Sequence, residues 1–331
     1  MSMMPLIRDL ITASLLLGAS LPMVAAPALA DDFVLNVNTP LDEQDPLWKG
    51  LEAFKARVET RTDGKLRIRL YSGSKLGKDE ELLAVARTGQ PYAIVTDGGR
   101  LAVFAKEFGV LGAPYLANGY EGVRKVVTSD LFAGWTETLR KTAGLQILSF
   151  NWWQGERHLL TNKPVTSPAD LKGLKLRTPG APVWTETVRA MGATPVAMGW
   201  SEVRTAIEHR IIDGAEAQHP ATYGAKLYDV VKTVTKTGHI NLITGIVTSA
   251  AWFDGLPEDY RRILREESLK AGDEASRATS GQLADFEARM KAQGVTIADI
   301  DVTPFREATA AVYEKLGYKE LREQVDLLLK N

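Results

Sequence analysis

The sequence predicts an α/β fold arranged in two lobes. Short apolar segments typical of buried strands alternate along the chain with amphipathic segments of helical spacing. This alternation is typical of helices that cover both faces of largely parallel sheets. Removing an expected leader of 30 residues from the 331 leaves 301, enough for one large domain or, as we favour, two lobes with separate cores. The predicted strands are 33–37, 66–71, 92–96, 145–150, 174–177, 194–197, 212–215 and 241–249.

The first helix has a clear start and end in the sequence. Asp45 is a favourable N-cap residue, and Pro46 fits the first helical position, where its missing N–H costs nothing. Gly64 is expected to end the helix. The apolar residues between these points recur at helical spacing and form one face. They are Leu47, Leu51, Phe54 and Val58.

One of the later helical segments is unusually long. The predicted helices are 78–88, most of 119–143, 181–190, 201–210, 257–293 and 303–329. An unbroken helix over 257–293 would be roughly 55 Å long, which exceeds the diameter of a single lobe. The segment therefore either spans both lobes or breaks near Gly272 or Gly281, since glycine weakens a helix interior.

The first thirty residues have the layout of a secretory signal peptide. A weakly charged start with Arg8 is followed by an apolar run over 11–24 and by Ala-Leu-Ala at 28–30. Small residues at that point predict cleavage after Ala30 and export to the periplasm. An uncleaved membrane anchor is less favoured, because glycine, serine and proline interrupt the apolar run.

Composition argues against several classes of function. Lys and Arg number 40 against 41 Asp and Glu, so the basic footprint of a nucleic-acid-binding protein is absent. The chain has no cysteine, which excludes disulfides and thiolate metal sites. None of its four histidines is paired at metal-ligand spacing on one helix. The sequence therefore predicts no metal, no cofactor and no nucleic-acid partner.

Signatures of enzymes are also absent. Gly98-Gly99 is too short a motif to indicate a phosphate-binding loop, and no Gly-x-Ser-x-Gly sequence is present. A cysteine nucleophile is excluded by composition. We therefore expect a binding protein rather than an enzyme.

Two arginines stand in apolar or aromatic surroundings. Arg157 follows Trp152-Trp153 at what reads as the end of a strand, and Arg177 lies at the end of strand 174–177. Ligands of α/β sheets bind at the carboxyl ends of strands, and a guanidinium can hold a carboxylate through two parallel hydrogen bonds. Both arginines are candidate carboxylate ligands. Either could instead form an ordinary ion pair with a nearby acid.

Further candidates follow other predicted strands. Asn38 and Asp97 come after the first and third strands and can be either cavity residues or ordinary turn residues. Trp200, Glu216 and Gln218 occupy similar positions later in the chain. Trp200 can form a wall of a cavity or pack onto the helix that begins beside it.

Several motifs occur here in one order along nearly the whole expected mature chain. They are GKL (64–66), GSKLG (73–77), APY (113–115), GER (155–157), NKPV (162–165), ADLKGLKLRTP (169–179), GATP (192–195), WSEV (200–203) and IDGAE (212–216). In these motifs the chain resembles the DctP-type solute-binding subunits of TRAP transporters. The resemblance implies a periplasmic protein that captures a small organic acid and delivers it to membrane permease subunits.

The resemblance also implies a domain plan. It predicts a periplasmic-binding-protein fold that closes about a hinge, with the long helix bracing both lobes. Lobe I is expected at 31–154 plus 243–282, and lobe II at 155–242 plus 283–331. The chain crosses between lobes near Gln154, near Ile243 and within the long helix.

By the same resemblance, Arg177 is expected to form the salt bridge with the ligand carboxylate, and Arg157 to assist it. The other expected ligand-facing residues are Asn38, Asp97 and Arg100 from lobe I and Trp200, Glu216 and Gln218 from lobe II.

The identity of the acid is left open by the sequence. Trp152, Trp153 and Trp200 favour a cavity with flat apolar walls, which suits an aromatic acid, a keto acid or a sugar acid. Gly180 and Ala217 stand where similar sialic-acid-binding proteins carry amide side chains, which argues against sialic acid. Two different functions stay open: a solute-binding protein of an ABC transporter, and a secreted α/β enzyme acting on an organic acid.

Overall fold

The computed structural model describes residues 33–330, so the predicted signal peptide at 1–30 lies outside the described residues. The strands are β1 Phe33–Asn38, β2 Leu66–Tyr71, β3 Tyr92–Asp97, β4 Leu145–Thr161, β5 Lys175–Thr178, β6 Thr194–Ala197, β7 Gly214–Ala217, β8 Thr233–Ser249 and β9 Thr296–Ala298. The helices are α1 Pro46–Arg61, α2 Asp79–Ala86, α3 Gly98–Leu101, α4 Gly119–Val127, α5 Asp130–Ala143, α6 Pro182–Ala190, α7 Val203–Glu208, α8 His219–Gly224, α9 Ala250–Asp254, α10 Glu258–Ala292, α11 Thr303–Thr309, α12 Ala311–Lys315 and α13 Lys319–Lys330.

The described strands form one mixed sheet in the order β2-β1-β3-β8-β4-β7-β5-β6, with β9 paired to β8. Both ends of the sheet are parallel, as predicted: β1 pairs with β2 and β3, and β5 pairs with β6 and β7. The middle is antiparallel, because β8 runs against β3 and β4, and β4 runs against β7. The expectation of largely parallel sheets is thus wrong for the middle strands.

The two central strands are much longer than the sequence predicted. β4 and β8 have 17 residues each, whereas strands were expected to end at 150 and to begin at 241. Their pairing shifts register at four places, which lets the strands bend and continue from one end of the sheet to the other. Both strands therefore belong to both lobes.

The start of α1 confirms the sequence prediction. The Asp45 side chain accepts a hydrogen bond from the Leu47 backbone N–H at 2.9 Å, and Pro46 occupies the first turn. The helix ends at Arg61, and Gly64 follows with a left-handed φ of 72°. Local capping chemistry alone fixed both ends of this helix to within a few residues.

The long helix α10 is a single element of 35 residues. It packs against α1 and β4 along one part of its length and against α8 and β9 along another. The expectation that it spans both lobes is therefore confirmed, and a break near Gly272 or Gly281 is excluded. Gly272 is needed for close packing instead: a Cβ atom there would lie 2.5 Å from Asn151 Oδ1.

The C-terminal segment was expected to be one helix over 303–329, and this is wrong. It consists of α11, α12 and α13, with Gly317 at a φ of 65° before the last helix. Helices α11 and α12 pack against α6, whereas α13 packs against α4 and the 3₁₀ segment Lys106–Gly112. The last helix thus packs against elements assigned to lobe I, while the predicted boundaries assign the helix itself to lobe II.

None of the helices in the described part of the chain is long and apolar enough to cross a membrane. One apolar core lies between α1, the first three strands and the first half of α10. Two further cores, one around β7 and α7 and one around β5 and α6, lie at the other end of the sheet. A fourth group of buried residues joins α3, α4 and α5 to α6 and α13.

Candidate functional site

A cavity lies between the end of β3, the middle of β4 and β8, and the residues around β5, α6 and α8. It contains about 460 Å³ of empty space, including solvent at its mouth. Five of the predicted site residues line it, and Arg100 does so too. They are Asp97, Arg157, Arg177, Trp200 and Gln218.

Arg177 is a buried cation at this cavity. It lies on β5 with only 2% of its surface exposed. Its Nε and Nη2 atoms donate to the Met198 carbonyl at 3.1 and 3.0 Å, and its guanidinium lies 5.2 Å from the centre of the Trp200 ring. Burial and the positive charge of Arg157 lower the pKa of Arg177 to about 9, so it remains charged at neutral pH.

Arg177 has no acidic partner among residues 33–330. Every hydrogen bond that it donates there goes to the Met198 carbonyl, and Nη1 donates none. A buried cation without a counter-ion is unfavourable, and an anionic ligand would remove this cost. Nη1 of Arg177 can therefore bond to an anion that enters the cavity.

Arg157, by contrast, already has its anion. Its Nε donates to the Glu216 carboxylate and Nη1 donates to Gln218 Oε1 at 3.1 Å. Thr178 also donates to Glu216, at 2.9 Å. Although burial alone would raise it, Arg157 and His239 hold the pKa of Glu216 at about 2. The ion pair considered for Arg157 from the sequence is thus observed, but the pair is buried at the site rather than exposed.

The position of Arg157 also corrects the sequence analysis. It lies within β4 and not at the end of a strand, and Ile240 of β8 is opposite it. The residue reaches the cavity because β4 passes through the centre of the molecule. Its guanidinium lies 4.5 Å from the centre of the Trp184 ring, which fixes its orientation further.

The opposite wall is built from charged residues of α2, β3 and α3. Asp97, the last residue of β3, accepts from the Arg100 backbone N–H at 3.0 Å and pairs with the Arg100 guanidinium. Arg100 also pairs with Glu80 at 2.9 Å and with Asp79 at 3.6 Å. Burial opposes the charge of Arg100, but Asp97, Asp79 and Glu80 together raise its pKa.

Asp79 was not predicted from the sequence. Its side chain lines the cavity with only 5% of its surface exposed, and its Oδ1 atom is buried without a hydrogen-bond partner. Burial raises the pKa of Asp79 to about 7. In the sequence this residue has the signal of an ordinary acidic residue in the first turn of a helix, and its cavity role depends on how α2 packs.

Three predicted site residues do not line the cavity. The Asn38 amide holds a turn, donating to the Gly77 carbonyl at 3.3 Å and accepting from the Leu76 N–H at 3.2 Å. Glu216 lies behind Arg157. Trp153 donates to Asn241 at 3.2 Å and packs beside Tyr120, away from the cavity.

The predicted aromatic walls are therefore different in the structure. Trp152 is fully buried and donates to Ser149 at 3.0 Å, so neither it nor Trp153 forms a wall. Trp200 does, and the second aromatic wall is Trp184 on α6, which the sequence analysis missed. Trp184 sits in the first half of a predicted amphipathic helix, where an aromatic residue normally indicates core packing.

A chain of amides closes the back of the cavity. Gln218 Nε2 donates to Gln154 Oε1 at 2.6 Å, and Gln154 Nε2 donates to Thr244 at 3.4 Å. Gln154 and Thr244 were not predicted; they lie inside β4 and β8, where those strands pass the cavity. In the described residues 33–330, no group of three His, Asp or Glu side chains is placed to hold a metal ion.

Lys78 and Glu202, which are close in the chain to the cavity residues Asp79 and Trp200, form an ion pair beside the cavity, at the edge that we call its mouth. Their Nζ and Oε1 atoms are 3.0 Å apart, and both side chains are about half exposed. Lys78 precedes α2, and Glu202 precedes α7. The ion pair therefore joins the Asp79 side of the cavity to the Arg177 side.

Comparison with known proteins gives a consistent result. Residues 37–320 match the family of bacterial extracellular solute-binding proteins, family 7, also called DctP. The C4-dicarboxylate-binding periplasmic protein DctP of Rhodobacter capsulatus is 28% identical, over 90% of this chain and 86% of its own length.

Two solved structures differ in their state. The apo open structure of a TRAP periplasmic solute-binding protein from Escherichia fergusonii is 43% identical, over 89% of this chain and 99% of that one, with a TM-score of 0.79. A TRAP periplasmic solute-binding protein from Ochrobacterium anthropi with bound L-fuconate is only 28% identical, over 90% of this chain and 99% of that one, but its TM-score is higher, at 0.87. The present arrangement is thus more similar to the ligand-bound structure, although the sequence is more similar to the open one.

Proposed function

Since this chain belongs to the family 7 bacterial extracellular solute-binding proteins and is similar in structure to TRAP periplasmic solute-binding proteins, we propose that its ligand is a sugar acid with a single carboxylate. The acid binds in the cavity, and the lobes close around it. The observation that carries the proposal is the contrast between the two walls. One has a buried cation, Arg177, that forms no ion pair with an acidic side chain of residues 33–330, and the other has buried acidic oxygens.

Arg177 is proposed to hold the carboxylate. Its Nη1 makes no hydrogen bond to residues 33–330, and burial strengthens a charge-assisted bond to an anion. Arg157 assists by orienting Gln218, while Glu216 balances its charge. Trp200 covers one face of the carboxylate site.

The opposite wall of the cavity is proposed to bind the hydroxyl groups of the ligand. The free Oδ1 atom of Asp79 and the carboxylate of Asp97 are acceptors, so hydroxyl groups can donate to them. A second carboxylate on the ligand would be repelled by the same oxygens. This favours a polyhydroxylated monocarboxylate, such as the L-fuconate of the Ochrobacterium protein, over the C4-dicarboxylate bound by the Rhodobacter protein.

We further propose that the protein works in the periplasm, after removal of residues 1–30, and passes the acid unchanged to the membrane subunits of the transporter. The periplasmic location is supported by DctP of Rhodobacter capsulatus, which is named as a periplasmic protein. Delivery to membrane subunits is supported by the similar solved structures, which are solute-binding proteins of TRAP transporters. An ABC-type binding protein and a secreted enzyme acting on the acid have no comparable support.

The test is a binding panel on the purified chain from Asp31 onward, using thermal shift and then calorimetry. The panel contains L-fuconate, L-galactonate and D-glucuronate, the dicarboxylates succinate and fumarate, and the neutral sugar L-fucose. We expect at least one sugar acid to bind with a Kd of about 1 μM or below, at least tenfold tighter than either dicarboxylate. Tighter binding of a dicarboxylate, or equal binding of L-fucose, would refute the proposal.

A further inference from the structure

Two glycines at the end of β3 have no role in the proposed binding of the acid. Gly98 and Gly99 begin α3, directly after Asp97. The space that a side chain at Gly99 would need is occupied by Trp184. A Cβ atom there would overlap Trp184 Nε1 and lie 2.5 Å from Trp184 Cδ1. Gly112 forms the other side of the same notch, where a Cβ atom would lie 3.2 Å from Trp184 Nε1 and 3.0 Å from Val183 Cγ1.

The residue in the notch comes from the other side of the cavity. Trp184 lies on α6, which packs against β5 and β6 at one end of the sheet. Gly99 and Gly112 belong to the segment that follows β3, whose neighbours in the sheet are β1 and β8. By the predicted boundaries, the tryptophan belongs to lobe II and the notch to lobe I.

Trp184 also touches the carboxylate side of the cavity. Its ring covers the Arg157 guanidinium at 4.5 Å, and it lines the cavity. Only 1% of its surface is exposed, and its Nε1–H is buried without a hydrogen-bond partner. Such complete burial, with an unsatisfied donor, depends on the notch being in place around the ring, so this contact belongs to the closed arrangement.

We propose that Trp184 and the notch of Gly99 and Gly112 form the contact that positions lobe II against lobe I on closure. This inference deepens the proposed function, since it concerns the closing motion that encloses the acid. The indole fits because neither notch residue has a side chain. Trp184 is therefore a positioning residue, because one indole ring contacts both Arg157 and the notch in the opposite lobe. Gly99 permits this contact because it has no side chain.

The test measures closure without any ligand. The chain has no cysteine, so Lys78→Cys and Glu202→Cys introduce one thiol on each side of the mouth, where the native side chains meet at 3.0 Å. A short bismaleimide then joins the two thiols in molecules that close, including molecules that close briefly. The protein is refolded from denaturant beforehand to remove any bound acid.

The rate of cross-linking is compared in four versions of the protein with the two introduced cysteines. Circular dichroism and thermal melting first check that all four are folded alike. They are the parent, Gly99→Ala, Trp184→Leu, and the pair together. Gly134→Ala is the matched control, because this helical glycine in α5 has no atom within 4 Å of the added methyl group. The backbone at Gly99 has no positive φ, so its conformation accepts alanine. Besides the clash with Trp184, the added methyl group would lie 3.0 Å from Asp97 Oδ1, a contact that is the same in the Trp184→Leu background.

We expect Gly99→Ala to slow cross-linking about tenfold, as overpacking of a tight contact predicts, and Gly134→Ala to leave it unchanged. In the Trp184→Leu background, Gly99→Ala should have little further effect, because the smaller side chain leaves room for the methyl group. An unchanged rate in Gly99→Ala would overturn the proposal. So would an equal slowing in the Trp184→Leu background, since the clash would not be with the indole. Neither result depends on which acid binds, so failure of the sugar-acid panel would not decide this test.

Discussion

At the residue scale, the central feature is a buried guanidinium whose protein partner is a neutral carbonyl. Replacing Arg177 by alanine removes the only cation at the cavity that has no acidic partner among residues 33–330. We expect affinity for the best acid of the panel to fall at least about 30-fold, since truncating one partner of a buried charge pair costs 2 kcal/mol or more. Calorimetry measures the change.

Arg177→Lys and a control arginine make this prediction specific. Lysine keeps the charge but cannot reproduce the fork that binds both Met198 and a carboxylate, so we expect an intermediate loss. Arg277→Ala removes an exposed arginine of α10 and should leave affinity unchanged. Equal affinities for the Arg177→Ala variant and the parent would show that the carboxylate binds elsewhere.

Asp79 makes a different prediction, which concerns pH. Burial raises the pKa of its folded-state carboxyl to about 7, above the ordinary value of 3.8. Between these two pH values the unfolded chain has lost the proton and the folded chain still holds it. Stability attributable to this group therefore decreases as pH rises from about 4 to 7, and the cost is fully present at pH 8.

Asp79→Asn removes that cost because the amide carries no charge. We expect the variant to be more stable than the parent at pH 8, by up to about 4 kcal/mol, and nearly equal to it at pH 4. Urea denaturation at the two pH values measures the difference. A gain of the same size at both pH values would indicate a packing effect. Affinity for a sugar acid should fall in the same variant, since one of the two carboxylate acceptor oxygens becomes an NH2 donor and charge-assisted hydrogen bonds from hydroxyl groups are lost.

The sequence identified the charged residues of the site better than their arrangement. Arg177, Arg157, Asp97, Trp200 and Gln218 line the cavity, as the sequence predicted. Asp79 and Trp184 were missed because each has an ordinary local explanation, as a first-turn acid and as a helix core residue. Only tertiary packing turns their side chains toward the cavity, and no local pattern contains that information.

At the element scale, the two glycines of α10 offer a paired prediction. Gly272→Ala places a methyl group 2.5 Å from Asn151 Oδ1. The Nδ2 atom of the same asparagine donates to the Leu269 carbonyl at 2.7 Å and to Asp273 Oδ1 at 2.6 Å. We expect a loss of roughly 1–3 kcal/mol in the free energy of unfolding, because the helix must move away from β4.

Gly281→Ala is the matched control in the same helix. No atom lies within 4 Å of a methyl group at this position, so only the helix propensity changes. We expect a gain of about 0.5–1 kcal/mol. Urea denaturation of the two variants should therefore give changes of opposite sign. A loss in both would contradict the packing assigned to Gly272.

The elements that the sequence predicted well are those with local signals. Helix α1 has a cap, a first-turn proline and a terminal glycine, and its bounds were found. Strand β4 has polar residues such as Asn151 and Gln154 inside it, so its apolar pattern stops at Phe150 although the strand continues to Thr161. Its pairing with β8, almost a hundred residues later, supplies the hydrogen bonds that hold it extended.

At the scale of the whole molecule, the ion pair of Lys78 and Glu202 should favour the closed arrangement weakly. Both side chains are about half exposed, so the attraction is screened by water and salt. We expect Lys78→Glu to weaken binding of the best acid about two- to fivefold at low salt, because two acidic groups then face each other across the mouth.

The reversed pair provides the control. Lys78→Glu combined with Glu202→Lys restores opposite charges and should restore most of the affinity. The difference between Lys78→Glu and the parent should also shrink in 0.5 M salt, as measured by calorimetry. A loss that persists in the reversed pair or at high salt would assign the effect to the individual side chains.

The two long central strands have a consequence for the order in which the molecule can form. Ala93 of β3 pairs with Thr248, and Leu145 of β4 pairs with Ser249, so the lobe I sheet lacks a central strand until residue 249 is available. Contacts so distant along the chain make folding slow. A chain emerging from its amino end through a narrow pore could not complete one lobe before the other. The lobe I sheet can thus be completed only after about three quarters of the chain is available, which suits passage of an unfolded chain through a secretion channel.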